Sequence, residues 1–188
     1  MIKDLKIEKF IEELASSSPT PGGGAAAALV GAISAGLCEM VANLTVGKER
    51  YRDNEPEIIK LQKEVVFFKK RLMTLADEDV KAFNKVMAAY KISKEEKDRN
   101  SQIENALKGA TEVPLETARI CSRLMGIARR LAKIGNKNAT SDVKSAFFLA
   151  KAAKLSAVEN IKINLRSVND EVWKMNIESK IAELARMW

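Results

Sequence analysis

From Pro19 to Gly47 the chain carries a single charge, Glu39, in a stretch made mostly of Ala and Gly: PTPGGGAAAALVGAISAGLCEMVANLTVG. About twenty residues of this kind are long enough to cross a bilayer as a helix. The composition argues otherwise, because Ala and Gly are weakly hydrophobic and Ser34, Glu39 and Asn43 interrupt the run. A secretory leader fits no better, since the run begins near residue 20 behind a polar, acidic segment. A helix apolar all round and outside a membrane must be covered on every side by other helices. Residues 24–46 are therefore expected to be the central helix of a bundle.

The remaining patterns agree. Residues 3–16 read as an amphipathic helix with Leu5, Phe10, Ile11 and Leu14 on one side, broken by Ser16–Pro21. Ile58, Leu61, Val65, Phe68, Leu72, Leu75, position 79, Ala82 and Val86 alternate in steps of three and four, a helical seam facing other helices. Lys91–Asn100 reads as a charged loop. Helices are expected over 101–109 and 112–134, with Pro114 in a first turn. Another is expected from 140 to about 165, capped by Thr140 or Ser141, and a last one from about 170 to the C-terminus. No segment alternates as a strand. The fold class is all-α, a bundle of long antiparallel helices, in one domain spanning residues 1–188.

Composition narrows the chemistry. Histidine is absent from the 188 residues. The commonest metal ligand and the commonest base near neutral pH are thus missing, and Cys38 and Cys121 alone make no zinc site. Catalysis would rest on carboxylates, Lys, Tyr or backbone groups. The two cysteines lie in apolar helical patterns, as free thiols of a reducing, cytoplasmic compartment. The formal charge is +7, but basic residues are interleaved with Glu and only four Trp and Tyr are present. A small polyanion suits this better than nucleic acid.

Three polar features stand out. Gly22, Gly23 and Gly24 lead into the central helix, whose unpaired N–H groups and dipole offer a place for an anion. No Lys-Ser/Thr pair follows, so this is not a P-loop; a plain hinge is the simpler reading. Asp79 occupies a seam position otherwise held by apolar residues. Either it lies at a wet end or paired with a cation, or it is a desolvated acid/base of raised pKa. Asp77 and Glu78 fall off the seam and should be solvated. Finally, GNKNATSD (135–142) opens a helix, and Asn160 and Asn164 share a face of an Ala-rich helix and need partners.

Taken together, PTPGGG (19–24), EMVANLTVGKERY (39–51), LADEDVKAF (75–83), EVP (112–114), GNKNATSD (135–142) and INLRSVNDE (163–171) resemble the formiminotetrahydrofolate cyclodeaminase family. That family includes the cyclodeaminase domain of formiminotransferase-cyclodeaminase and some methenyltetrahydrofolate cyclohydrolases. The stretches occur in family order along nearly the whole chain. The resemblance implies an all-helical fold, a homodimer or larger homo-oligomer, and a folate substrate, polyglutamylated forms included. It implies no metal and no cofactor beyond the tetrahydrofolate substrate, and neither a nucleic-acid nor a membrane partner. It gives Asp79 the catalytic role, and makes Gly22, Gly23, Gly24, Lys48, Asn136, Asp142 and Asn164 substrate-binding residues. The implied reaction closes 5-formiminotetrahydrofolate to 5,10-methenyltetrahydrofolate with loss of ammonia; methenyltetrahydrofolate hydrolysis in the same pocket is the alternative. There is no formiminotransferase segment, and the family's last helix usually extends further than this one. The contrasting reading is a non-catalytic helical interaction module, which has no use for a buried carboxylate.

Overall fold

A computed structural model describes residues 1–186. Met187 and Trp188, where the last expected helix ends, lie outside the described residues. Six α-helices follow one another, with no strand among the described residues: α1 (Ile7–Leu14), α2 (Gly23–Asn43), α3 (Glu55–Tyr90), α4 (Arg99–Ile134), α5 (Thr140–Leu165) and α6 (Glu171–Arg186). Short 3-10 turns precede α1, α3 and α5.

The Ala/Gly run forms the central helix, but it is not covered on every side as expected, and Ile33 stays 57% exposed. One side of α2 packs against α3, α4 and α5, with Ala25, Ala28, Ala35, Cys38, Val41 and Ala42 fully buried. Small side chains let the neighbours come close. A Cβ on Gly31 would lie 2.8 Å from Cys121 Sγ, a clash that fixes glycine where α2 crosses α4. Ser34 donates to the Ala146 carbonyl at 2.7 Å, which satisfies the hydroxyl inside the core. By length and composition α2 could cross a bilayer, but here much of its surface is spent on other helices. Cys38 and Cys121 are free and buried, and burial pushes each thiol up to about 12.

Three expectations are corrected. α4 is continuous through residues 110 and 111, so Pro114 lies inside the helix and not in a first turn. The missing Pro114 N–H leaves the Ala110 carbonyl without its helical partner, and Asn164 Nδ2 of α5 donates to that oxygen at 3.0 Å. The defect is repaired from a neighbouring helix, and the chain stays helical. Asp77 is buried instead of solvated, because the first 3-10 turn packs on α3 and the Ile2 N–H donates to its Oδ1. Glu78 is half-buried on Arg71, which also grips Glu116 with two nitrogens. At the start of α5 the cap position is Ala139, without a side-chain cap; Thr140 Oγ1 donates back to the Lys137 carbonyl at 2.6 Å.

Candidate active site

The apolar seam of α3 is fully covered at Ile58, Val65, Leu72 and Leu75. Beyond Ala76 the cover thins, and Asp79, Ala82, Phe83 and Val86 are each half-buried. They form one wall of a cavity of about 380 Å³. The glycine turn before α2, the Leu107–Ala110 stretch of α4 and the C-terminal half of α5 supply the rest. Asp79 therefore stands where the seam opens, desolvated on one side and facing a cavity on the other.

The carboxylate is held in a particular way. The chain enters α2 through a cis Thr20–Pro21 peptide and the extended Gly22. The Ala25 N–H, one of the unpaired donors of the first turn, donates to the Asp79 carboxylate. The anion at this helix end is thus the protein's own side chain. A Cβ on Gly24 would lie 2.1 Å from Asp79 Oδ1. Glycine is needed here for close approach, not for an unusual φ. Burial raises the Asp79 pKa, and the Ala25 hydrogen bond opposes the rise without cancelling it.

Opposite Asp79, α5 presents Asn160 and Asn164 to the cavity, and Ser167 follows just past its end. Asn160 Nδ2 donates to the Ser156 carbonyl at 2.9 Å. The Asn160 amide also lies against Gly23, whose Cβ would meet it at 3.3 Å. Asn164 is fixed by the proline-orphaned carbonyl of Ala110. Apolar Ala82, Phe83, Val86 and Ile163 line the space between, and Tyr90 stands at the rim. The result is a slot with one desolvated acid, two oriented amides and apolar walls, suited to a flat polar heterocycle.

Of the sequence-derived residues, Gly22, Gly23, Gly24, Asp79 and Asn164 converge on this cavity. Lys48, Asn136 and Asp142 do not. Asn136 is buried at the other end of α2: its Nδ2 donates to the Leu44 carbonyl at 2.9 Å, and its Oδ1 accepts from the Asn138 N–H at 3.0 Å. Lys48 is exposed just past that end, and Asp142 lies in the first turn of α5. A 21-residue helix, about 30 Å long, separates the two groups. Tyr90 and Ser167 were not singled out from the sequence. Tyr90 follows the seam by one turn, the one signal that could have found it.

The formiminotransferase-cyclodeaminase family pattern matches residues 6–183. A methenyltetrahydrofolate cyclohydrolase of Methylorubrum extorquens is 38% identical over 182 residues, covering 95% of this chain and 86% of that protein. The formimidoyltransferase-cyclodeaminase of Rattus norvegicus is 31% identical over 185 residues, 96% of this chain but 34% of that protein. The chain thus spans about a third of the length of such bifunctional relatives. The crystal structure of formiminotetrahydrofolate cyclodeaminase from Thermotoga maritima superposes with a TM-score of 0.93 at 36% identity, covering 100% of this chain and 91% of that one. With nearly every residue matched and the helical fold shared, this chain belongs to the formiminotransferase-cyclodeaminase family.

Proposed function

We propose that the chain is a formiminotetrahydrofolate cyclodeaminase, with Asp79 as its acid/base. The observation that carries this reading is the Asp79 carboxyl, raised in pKa, pinned to the first turn of α2 and open to the slot. Closing the ring requires the folate N10 to attack the formimino carbon carried on N5, N10 to lose a proton, and the departing nitrogen to gain one before it leaves as ammonia. One carboxyl of raised pKa can take the first proton and return the second. The apolar walls would hold the pterin ring, Asn160 and Asn164 its donor–acceptor edge, and Gly22–Gly24 the close approach on one side. The reading includes a homo-oligomer working in the cytoplasm. Lys48, Asn136 and Asp142 stay in it as substrate-binding residues by family resemblance alone.

A second reaction has a specific observation in its favour, the 38% identity to a methenyltetrahydrofolate cyclohydrolase. There water would add to the methenyl carbon with Asp79 taking one of its protons, and collapse of the adduct to a formyl group would break the carbon–N5 bond, N5 taking the second proton.

One experiment separates the two. The purified chain is incubated with 5-formiminotetrahydrofolate, following methenyl absorbance and released ammonia, and separately with 5,10-methenyltetrahydrofolate, following loss of the same absorbance. Methenyl formation with matching ammonia supports the cyclodeaminase. Enzyme-dependent loss of methenyl absorbance without ammonia production assigns the cyclohydrolase. No enzyme-dependent change in either assay overturns both.

A further inference from the structure

The slot is rich in hydrogen-bond acceptors and holds no cation. Of the 32 lysines and arginines in the chain, none lines it among the described residues. Asp79 is its carboxylate, and through the Ala25 N–H that carboxylate already answers the positive end of α2.

The two amides add acceptors. A free asparagine side chain offers donors and an acceptor alike, but its surroundings decide what it has left to give. Asn160 Nδ2 meets the Ser156 carbonyl at 2.9 Å, and Asn164 Nδ2 meets the Ala110 carbonyl at 3.0 Å. A carbonyl can only accept, so both amides are turned with nitrogen to the backbone and oxygen away from it. Neither Oδ1 receives a hydrogen bond from a described residue, and neither is sealed from solvent. The hydroxyls of Thr20, Tyr90 and Ser167 can turn either way. The remaining donors are backbone N–H groups of the glycine turn, on the side the carboxylate occupies. Asn160 lies against Gly23, next to Gly24 where Asp79 is pinned. Its oxygen and the carboxylate therefore share one end of the slot.

We infer that this end selects a folate by a delocalised N–CH–N cation, met by the Asp79 carboxylate and the Asn160 amide oxygen. The inference rests on the folate reading of the site, and not on which reaction follows. A formimino group on N5 is an amidine, which takes up a proton and spreads the charge over both nitrogens. The methenyl bridge between N5 and N10 carries the same N–CH–N cation. 5-Formyltetrahydrofolate has the shape of the formimino compound, with a neutral acceptor oxygen in place of the charged donor nitrogen. Set against acceptors alone, that oxygen and its neighbours stay unpaired, which a desolvated site penalises. Phe83 adds an aromatic face that favours a cation. Asn160 thus stands where the ring edge meets the N5 substituent, and the Asn164 oxygen is left for the ring's own N–H donors.

The test compares two ligands. Stopped-flow fluorescence, read before turnover, gives the affinities of 5,10-methenyltetrahydrofolate, which is a cation, and 5-formyltetrahydrofolate, which is neutral. The wild type should prefer the cation by about tenfold or more, the effect of one charge-assisted hydrogen bond. Asp79→Asn keeps the shape of the site and should bring the ratio close to one, whereas a preference for the bicyclic shape alone would survive it. Asn160→Ala should narrow the ratio by about threefold with the affinity for the formyl compound unchanged. A wild type that binds the formyl compound as tightly, or a ratio that survives Asp79→Asn, overturns the inference. Binding of neither ligand overturns it together with the folate reading. Preference for the cation without turnover of either substrate supports the inference and sinks the proposed acid/base chemistry. Turnover without preference does the reverse.

Discussion

Gly24→Ala is the smallest change that reaches the proposed chemistry. The added methyl would stand 2.1 Å from Asp79 Oδ1, where ordinary contact begins at 3.4 Å. The backbone of α2 cannot yield easily, because Ala25 and Ala28 behind it are fully buried. The carboxyl must therefore retreat by 1.3 Å, the difference of those two distances, or rotate away, and it loses the Ala25 N–H. Displacing a catalytic group by about 1 Å costs on the order of 10²-fold in rate. Turnover of the proposed folate substrate should fall by about that factor, with KM changing much less. Stability should barely move: the lost hydrogen bond, worth about 1.5–3 kcal/mol to a charged group, is offset by relief of glycine's helical penalty of about 1 kcal/mol and by better solvation of the carboxyl. A melting temperature within about 4 °C of wild type is expected, since 1 kcal/mol shifts a chain of this size by roughly 2–4 °C. Stopped-flow or steady-state absorbance at the methenyl band, with a thermal melt on the same preparation, measures both. If the variant keeps more than half of wild-type turnover, a carboxyl held on the α2 terminus is not the working acid/base.

Asp79→Asn keeps an acceptor for the Ala25 N–H but removes the titrating proton, so turnover should drop by about 10²–10⁴. The raised folded pKa gives a sign for stability as well. The ionised Asp79 destabilises the fold at neutral pH, and this is relieved as pH falls through the raised value towards the unfolded value of about 3.9. Urea melts should therefore find the Asp79→Asn variant the more stable at pH 7 and the gap closing in acid; a gap that widens in acid reverses the argument. Asn136→Ala removes bonds to Leu44 and Asn138 and should lower stability by about 1–3 kcal/mol, seen in the same melts, with kcat kept; a selective fall in kcat would put Asn136 in contact with substrate. Lys48 is kept as a substrate-binding residue in the proposed reading, so Lys48→Ala should raise KM by up to about fivefold, the effect of about 1 kcal/mol from an exposed cation. An unchanged KM removes Lys48 from the site.

The fold was legible because its signals are local and periodic. One charge between Pro19 and Gly47 marks the buried helix, and the α3 seam repeats without a break from Ile58 to Val86. Asp79 was legible for the same reason: a carboxylate on an apolar seam is a visible exception. What stayed hidden depends on distant packing. Pro114 read as a helix start because nothing near it in sequence supplies a donor to the Ala110 carbonyl; the donor is 54 residues beyond that carbonyl. Asp77 read as solvated because its cover comes from residues 2–4, folded back over α3. Lys154 is buried with its ammonium donating to the Leu184 carbonyl at 3.2 Å, a partner 30 residues away that no local pattern announces. The glycine turn showed an anion-ready helix end, but only the three-dimensional crossing of α2 and α3 reveals that Asp79 already occupies it.

The repair of α4 by Asn164 ties two positions together that share no sequence neighbourhood. With Ala at 114, the backbone would reclaim the Ala110 oxygen and the Asn164 amide would swing free into the slot. With Ala at 164, the proline would leave a carbonyl stranded. The two substitutions should be strongly non-additive in a double-mutant cycle. Among relatives, the pair should be kept or lost jointly, so that a proline in one helix predicts which polar side chain the slot receives from another.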